Sequence, residues 1–260
     1  MEYEFVKVEK RDHISIVTIN RPEVYNAVHP PLSLELDQVW NEFIEDSEQW
    51  VAVLTGAGDK AFSAGNDLKY SAQPGKYKVQ QPKSGFAGLT NRFDRTKPII
   101  AAVNGFAMGG GMETALSCDI ILASENAKFA LPEVKVGFFA AAGGVQRLSR
   151  QIGKKAALEM ILTGRSVDAK EALKLGIVND VFSQSELLDK AIEKAKVIAG
   201  NCPSSIKYSL EALNHMDQLE EMSSALEKSY ELIDLLRQTE DHKEGVSAFV
   251  EKRAPQWKNK

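Results

Sequence analysis

The sequence predicts an α/β core followed by a helical C-terminal region. Short apolar runs recur at helix-length intervals: VAVLTGAG (51–58), PIIAAVNG (98–105) and DIILAS (119–124). Runs of this length, stopped by glycine or small polar residues, are what a sheet buried on both faces requires. Strands alternating with helical stretches imply right-handed crossovers and a mostly parallel sheet. After about residue 200 only helical periodicity follows, which sets a boundary between a core, 1–200, and a helical region, 201–260.

Taken in order, ISIVTIN (14–20) alternates branched apolar and polar residues as a strand does and ends at Arg21-Pro22. The segment 32–46 places Leu32, Leu36, Val39, Trp40 and Phe43 at helical spacing. The strand at 51–58 leads into the glycine-containing loop AFSAGNDL (61–68), and the strand at 98–105 leads into GFAMGGGMETALSCD (105–119). Residues 70–88 are rich in Gly, Pro, Gln and Lys without any sustained period, as expected for a long loop or lid. Helices are expected at 153–164, around 168–176 and at 185–200, then three more in PSSIKYSLEALNHM, LEEMSSALEKSYELIDLLRQ and DHKEGVSAFVEKR. The apolar stripes of those last three need a surface to bury them, either this core or another subunit.

Composition narrows the function. The chain has 260 residues, 43% hydrophobic and 26% charged, with a net charge of −4 and no like-charge block. That balance argues against nucleic-acid binding. No apolar run approaches the ~20 residues of a membrane span, and no secretory signal is recognisable at the start, so the cytoplasm is the expected location. Cys118 and Cys202 lie far apart without CxxC spacing, and His13, His29, His215 and His242 are scattered, so no metal site is expected.

The chemistry concentrates in the glycine loops. A glycine-rich turn opening a helix leaves backbone N–H groups without partners and lets a ligand approach closely. Here the pattern is neither a P-loop nor a dinucleotide fingerprint. If the strands at 51–58 and 98–105 are neighbours, both loops emerge at one sheet edge, where α/β proteins place ligands. One N–H from each would then form a two-donor oxyanion hole for a thioester or ester oxygen. Glu113 follows the triple glycine, and Glu133 follows Pro132 in FALPEVKVGFF; taken singly, each is most simply an acid near the start of a helix or turn.

The ordered ensemble says more. AFSAGNDL, KPIIAAVNGFAMGGGMETALSCDI and AKFALPEVKVGFFAAAGGVQRL, together with TINRPEVYNA near the start and EDHKEGVSAFVEKRAPQWK at the end, resemble the crotonase (enoyl-CoA hydratase/isomerase) superfamily, most closely an enoyl-CoA hydratase. The likeness runs essentially end to end. It implies the crotonase, ClpP-like fold of repeated ββα units and an acyl-CoA substrate, with coenzyme A as part of that substrate and no metal or redox cofactor. It also implies a homotrimer or dimer of trimers built on the C-terminal helices. By the same resemblance, Ala64 and Gly110 are the oxyanion donors. Glu113 activates water and Glu133 delivers a proton to C2. Arg21, Asn26, Ala27, Asn66, Asp67, Leu68, Gly109, Phe138 and Ala141 lie along the coenzyme A and acyl path, and 70–88 covers the acyl end.

One position departs from the pattern: Ala140-Ala141 stands where hydratases of this type carry Pro-Gly, which touches water placement and acyl size. Three other activities stay open. Two lie within the superfamily: enoyl-CoA isomerisation, and dehydration of a carnitinyl, cyclic or aromatic acyl-CoA. The third, a serine hydrolase, is suggested by AFSAGN, which approaches GxSxG but lacks the first glycine.

Overall fold

The computed structural model describes residues 3–73, 81–216 and 222–260. Along the chain run β1 (Val6–Arg11), β2 (Ile14–Ile19), α1 (Pro30–Glu45), β3 (Val51–Gly56), β4 (Ala61–Ser63) and α2 (Leu68–Ser71). Next come β5 (Ile99–Val103), β6 (Phe106–Met108), α3 (Gly110–Leu116), β7 (Ile120–Ser124), β8 (Lys128–Ala130), α4 (Gly144–Ile152) and α5 (Lys154–Thr163). The order closes with β9 (Ser166–Asp168), α6 (Ala169–Leu175), β10 (Asp180–Phe182), α7 (Leu187–Ala199), α8 (Pro203–Met216), α9 (Met222–Leu236) and α10 (Glu240–Glu251).

Ten strands form two sheets among the described residues. The larger has the order β1-β2-β3-β5-β7-β10; only β1 is antiparallel to its neighbour. Successive side chains on its strands enter opposite cores. Ala52 and Leu54 face α1 and the body of the molecule, while Val51 and Val53 pack with Ile100, Leu122 and the α7 residues Leu187, Ala191 and Ile192. Both faces are covered, which is why these strands read as unbroken apolar runs. Helix α1 begins at Pro30, capped by His29, whose Nδ1 accepts the Leu32 N–H. Trp40, fully buried on it, donates its indole N–H to Ala87 O.

The smaller sheet, β4-β6-β8-β9, is built from three-residue strands. Each of β4, β6 and β8 follows a strand of the large sheet, so a pair of strands leading to a helix or helical turn recurs three times along the chain. That repetition is the ββα unit, and because β3 pairs with β5 and β4 with β6, the loops leaving β4 and β6 lie side by side.

The last three helices pack on one another and leave Phe249, Val250, Tyr230 and Leu213 exposed. Trp257 reaches back to Gly200 O, and the buried Asp241 receives Ser204 Oγ–H and the Lys258 N–H, fixing the C-terminal segment. Among the described residues no helix is long and apolar enough to cross a membrane.

Candidate active site

A cavity of about 560 Å³ opens where the loops after β4 and β6 meet the 3-10 turn Glu133–Val136. Glu113 and Glu133 both line it, together with Ala64, Asn66, Leu68, Gly109, Gly110, Phe138 and Ala141. The structure therefore brings together nine of the thirteen residues singled out from the sequence.

Glu113 sits in the first turn of α3 and is 4% exposed. Its Oε1 accepts the Gly144 N–H at 2.9 Å, at the start of α4. Burial pushes its carboxyl up to about 7; the neighbouring Glu133 adds to the rise, while the Gly144 and Ala142 amides and the Arg147 charge oppose it. Glu133 also titrates high because of burial, but its Oε2 has no hydrogen-bond partner among the described residues. Its other oxygen lies against Gly109, where a Cβ would come within 2.9 Å of Oε1. Gly109 also has φ +53°, so the position is closed to a side chain on two counts.

Two backbone amides face this space. The Gly110 N–H belongs to the open first turn of α3 and donates to no acceptor among the described residues. On the opposite loop the assignment from sequence is corrected. Ala64 lines the cavity, but its N–H donates to Tyr25 O at 2.9 Å. The Val28 N–H donates to Gly65 O and the Asp67 N–H to Val28 O, which leaves the Asn66 N–H between them without an acceptor among the described residues. The open pair is thus Asn66 and Gly110. The loops are held in contact through Gly65, where a Cβ would meet Met108 O at 2.5 Å and Gly110 N at 2.8 Å.

Four of the residues assigned to the coenzyme A path stand outside this cavity. Arg21, Asn26, Ala27 and Asp67 do not line the cavity; they brace its rim. Arg21 pairs with Asp67 at 3.0 Å and donates to Ala27 O at 2.6 Å. Asn26, fully buried, donates to Ala57 O and Ala61 O and accepts the Arg21 N–H. With these groups engaged inside the chain, the rim loop is set before any ligand arrives. Of the stretch 70–88 read as a cover, residues 74–80 lie outside the described residues; Gln81 and Phe86 beyond them line the cavity. Phe86, missed from the sequence, packs on Gly110, where a Cβ would come within 2.6 Å of its ring.

The hydrolase alternative loses its nucleophile. Ser63 is fully buried, donates to Asn26 O and accepts the Gly65 N–H, with no histidine among these partners. Among the described residues no group of three or more His, Cys, Asp or Glu side chains is arranged to hold a metal.

With this geometry in view, comparison with known proteins is specific. The family model for enoyl-CoA hydratase/isomerase matches residues 9–260. Similar curated proteins include short-chain-enoyl-CoA hydratase of Clostridium acetobutylicum, 42% identical over 97% of both chains. Others are (E)-benzylidenesuccinyl-CoA hydratase of Thauera aromatica, 41% identical over 96% of this chain and 97% of that one, and carnitinyl-CoA dehydratase of Salmonella typhi, 42% identical over 94% of both. The crystal structure of enoyl-CoA hydratase from Mycobacterium tuberculosis superposes with a TM-score of 0.91 at 35% identity, covering 98% of this chain and 99% of that one. The fold is that of the crotonase superfamily. Within it, the chain belongs to the enoyl-CoA hydratase/isomerase family.

Proposed function

We propose that the chain catalyses the reversible hydration of a 2-trans-enoyl-CoA to a 3-hydroxyacyl-CoA. The observation that carries this reading is one cavity wall that holds two carboxyl groups, Glu113 buried and Glu133 half-buried, together with two backbone amides that have no acceptor among the described residues. The thioester oxygen would lie between the Asn66 and Gly110 N–H groups. As water adds at C3, negative charge moves onto that oxygen, where each fixed donor stabilises it by ~2.7–4 kcal/mol.

The carboxyls divide the proton work. Two acids in one desolvated site resist ionising together, so the pair retains a proton near neutrality. Burial and hydrogen bonding pull in opposite directions over where it resides. The deeper burial of Glu113 raises its carboxyl to about 7, but the Gly144 N–H that it accepts favours its anion. Glu133 Oε2 has no donor among the described residues, and we assign the proton to Glu133 on the hydrogen bonds. Glu113 therefore acts as the base that activates water for C3, and protonated Glu133 supplies the proton to C2. In the dehydration direction the roles reverse. Coenzyme A follows the rim past Asn66 and Leu68, and the acyl group points toward Phe138 and Ala141. The exposed apolar residues of α8–α10 suit a homotrimer or dimer of trimers, with 1–200 as the catalytic core.

Incubation of the purified protein with crotonyl-CoA tests the reading. The expected product is heavier by one water, with loss of the enoyl absorbance. Double-bond migration without water uptake would assign an isomerase instead, and no reaction with any enoyl-CoA would overturn the proposal.

A further inference from the structure

Behind the acyl pocket lies a second cavity, of about 600 Å³, and Ala141 lines both. The turn that carries Ala141 contributes to both, with Ala142 in the wall of the first and Gly143 in the wall of the second. Four arginines, Arg92, Arg95, Arg147 and Arg150, contribute to its walls. Arg92 is matched by Asp37 at 2.7 Å, and Arg95 by Asp119, with Nη2–Oδ1 2.9 Å. Arg147 and Arg150 have no acid partner among the described residues.

Donors are left over in this space. A guanidinium carries five N–H groups. Two groups on Arg147 reach carbonyls, Nη2–H to Thr90 O at 2.7 Å and Nη1–H to Ala142 O at 3.4 Å, while its plane lies near the Phe93 ring. No acceptor among the described residues takes the rest. Arg95 Nε, also without a partner among the described residues, is enclosed by the protein and closed to the cavity. Arg147 is half-buried and Arg150 exposed, and a planar anion satisfies the free donors of such guanidinium groups with charge-assisted hydrogen bonds.

We infer that this second cavity is an anion subsite of the acyl pocket, suited to 2-enoyl-CoA esters whose acyl group ends in a carboxylate held by Arg147 and Arg150. The inference rests on the enoyl-CoA reading above and adds the substrate class. An acyl chain that passes Ala141 carries its far end directly into the arginine-lined space. A carboxylate there meets two unpaired positive charges, a methyl group leaves their donors unmet, and a quaternary ammonium is repelled.

Three trans-2-enoyl-CoA thioesters of matched chain length, ending in methyl, carboxylate or trimethylammonium, test this with the full chain. Hydration is followed by loss of enoyl absorbance. The expected kcat/KM is about 10-fold or more higher for the carboxylate than for the methyl ester, as a charge-assisted hydrogen bond supplies, and lowest for the ammonium. Arg147→Gln and Arg150→Gln should each reduce the carboxylate-to-methyl ratio, while Arg147→Lys, which keeps the charge, should retain most of it. Should Arg147→Gln fail to fold, exposed Arg150 still provides the measurement. A ratio near one in the parent protein, or a ratio unchanged in the glutamine variants, overturns the inference while leaving the hydratase reading intact. If none of the three esters gains water, the hydratase reading fails and the subsite falls with it.

Discussion

The two sheets solve different problems with the same kind of strand. In the large sheet, the central strands β2, β3 and β5, of five and six residues, place side chains in cores on both faces. In the small sheet, three-residue strands are too short to build a core of their own. Their role is positional: β4 and β6 end side by side, and the loops that leave them supply the two open amides. The difference teaches that burial and chemistry have been separated here, with the longer strands holding the fold and the shorter ones aiming the backbone.

Substitutions should respect that division. The largest effects are expected at the carboxyls: Glu113→Gln and Glu133→Gln should each lower the hydration kcat by about 10²–10⁴, with coenzyme A ester binding retained. Loss of binding together with rate would show that the site and the fold are not separable. In the large sheet, fully buried Leu54→Ala should cost about 2–5 kcal/mol of stability. Its denaturant midpoint should fall while the pH profile of turnover stays unchanged.

Gly110→Ala should do the opposite. The new Cβ meets the Phe86 ring and displaces an amide donor, so kcat should drop about 10²–10³ with little change in unfolding.

The Glu113 carboxyl offers a sharper test, because its pKa is raised from 4.5 to about 7. A carboxyl raised in the folded state stabilises fully below its unfolded value, and that contribution is lost as pH rises through about 7. Above that pH, burying its charge costs up to about 3 kcal/mol. Glu113→Gln should therefore melt several degrees higher than the parent at pH 8 and show little difference at pH 4. The parent's turnover should fall on the acid side of about 7, as the base takes up its proton. A midpoint near 4.5 instead would break the link between burial and reactivity.

Smallest of all, Asn66→Ala should alter kcat by no more than about two-fold, within the usual range for a surface side chain, since the proposed donor is its main-chain N–H.

Much of this was legible in the sequence, and the gaps have physical causes. The strands at 51–58, 98–105 and 119–124 announce themselves because both faces are buried; β1, VKVEKR, buries only Val6 and hides as a charged edge. Three-residue strands are shorter than any period that could reveal them, so β4, β6, β8 and β9 were invisible. The glutamates and the glycine loops were found, yet which amide stays open depends on Tyr25 O and Val28 O, acceptors dozens of residues away. The Arg21–Asp67 bridge is likewise non-local, so no local pattern announces that these two side chains pair with each other. Phe86 lay in a stretch without periodicity, and only its packing on Gly110 marks it.

The direct contact of Gly65 with Met108 O and Gly110 N has a consequence for how such a molecule can change. In the proposed reaction the grip on the thioester oxygen is written in main chain rather than in side-chain identity. Mutational drift could then rewrite the surrounding walls, and with them the accepted carbon skeleton, without touching the two proposed donors. Libraries that randomise positions 138, 139 and 141 while leaving 65, 109 and 110 fixed should yield altered selectivity far more often than dead protein.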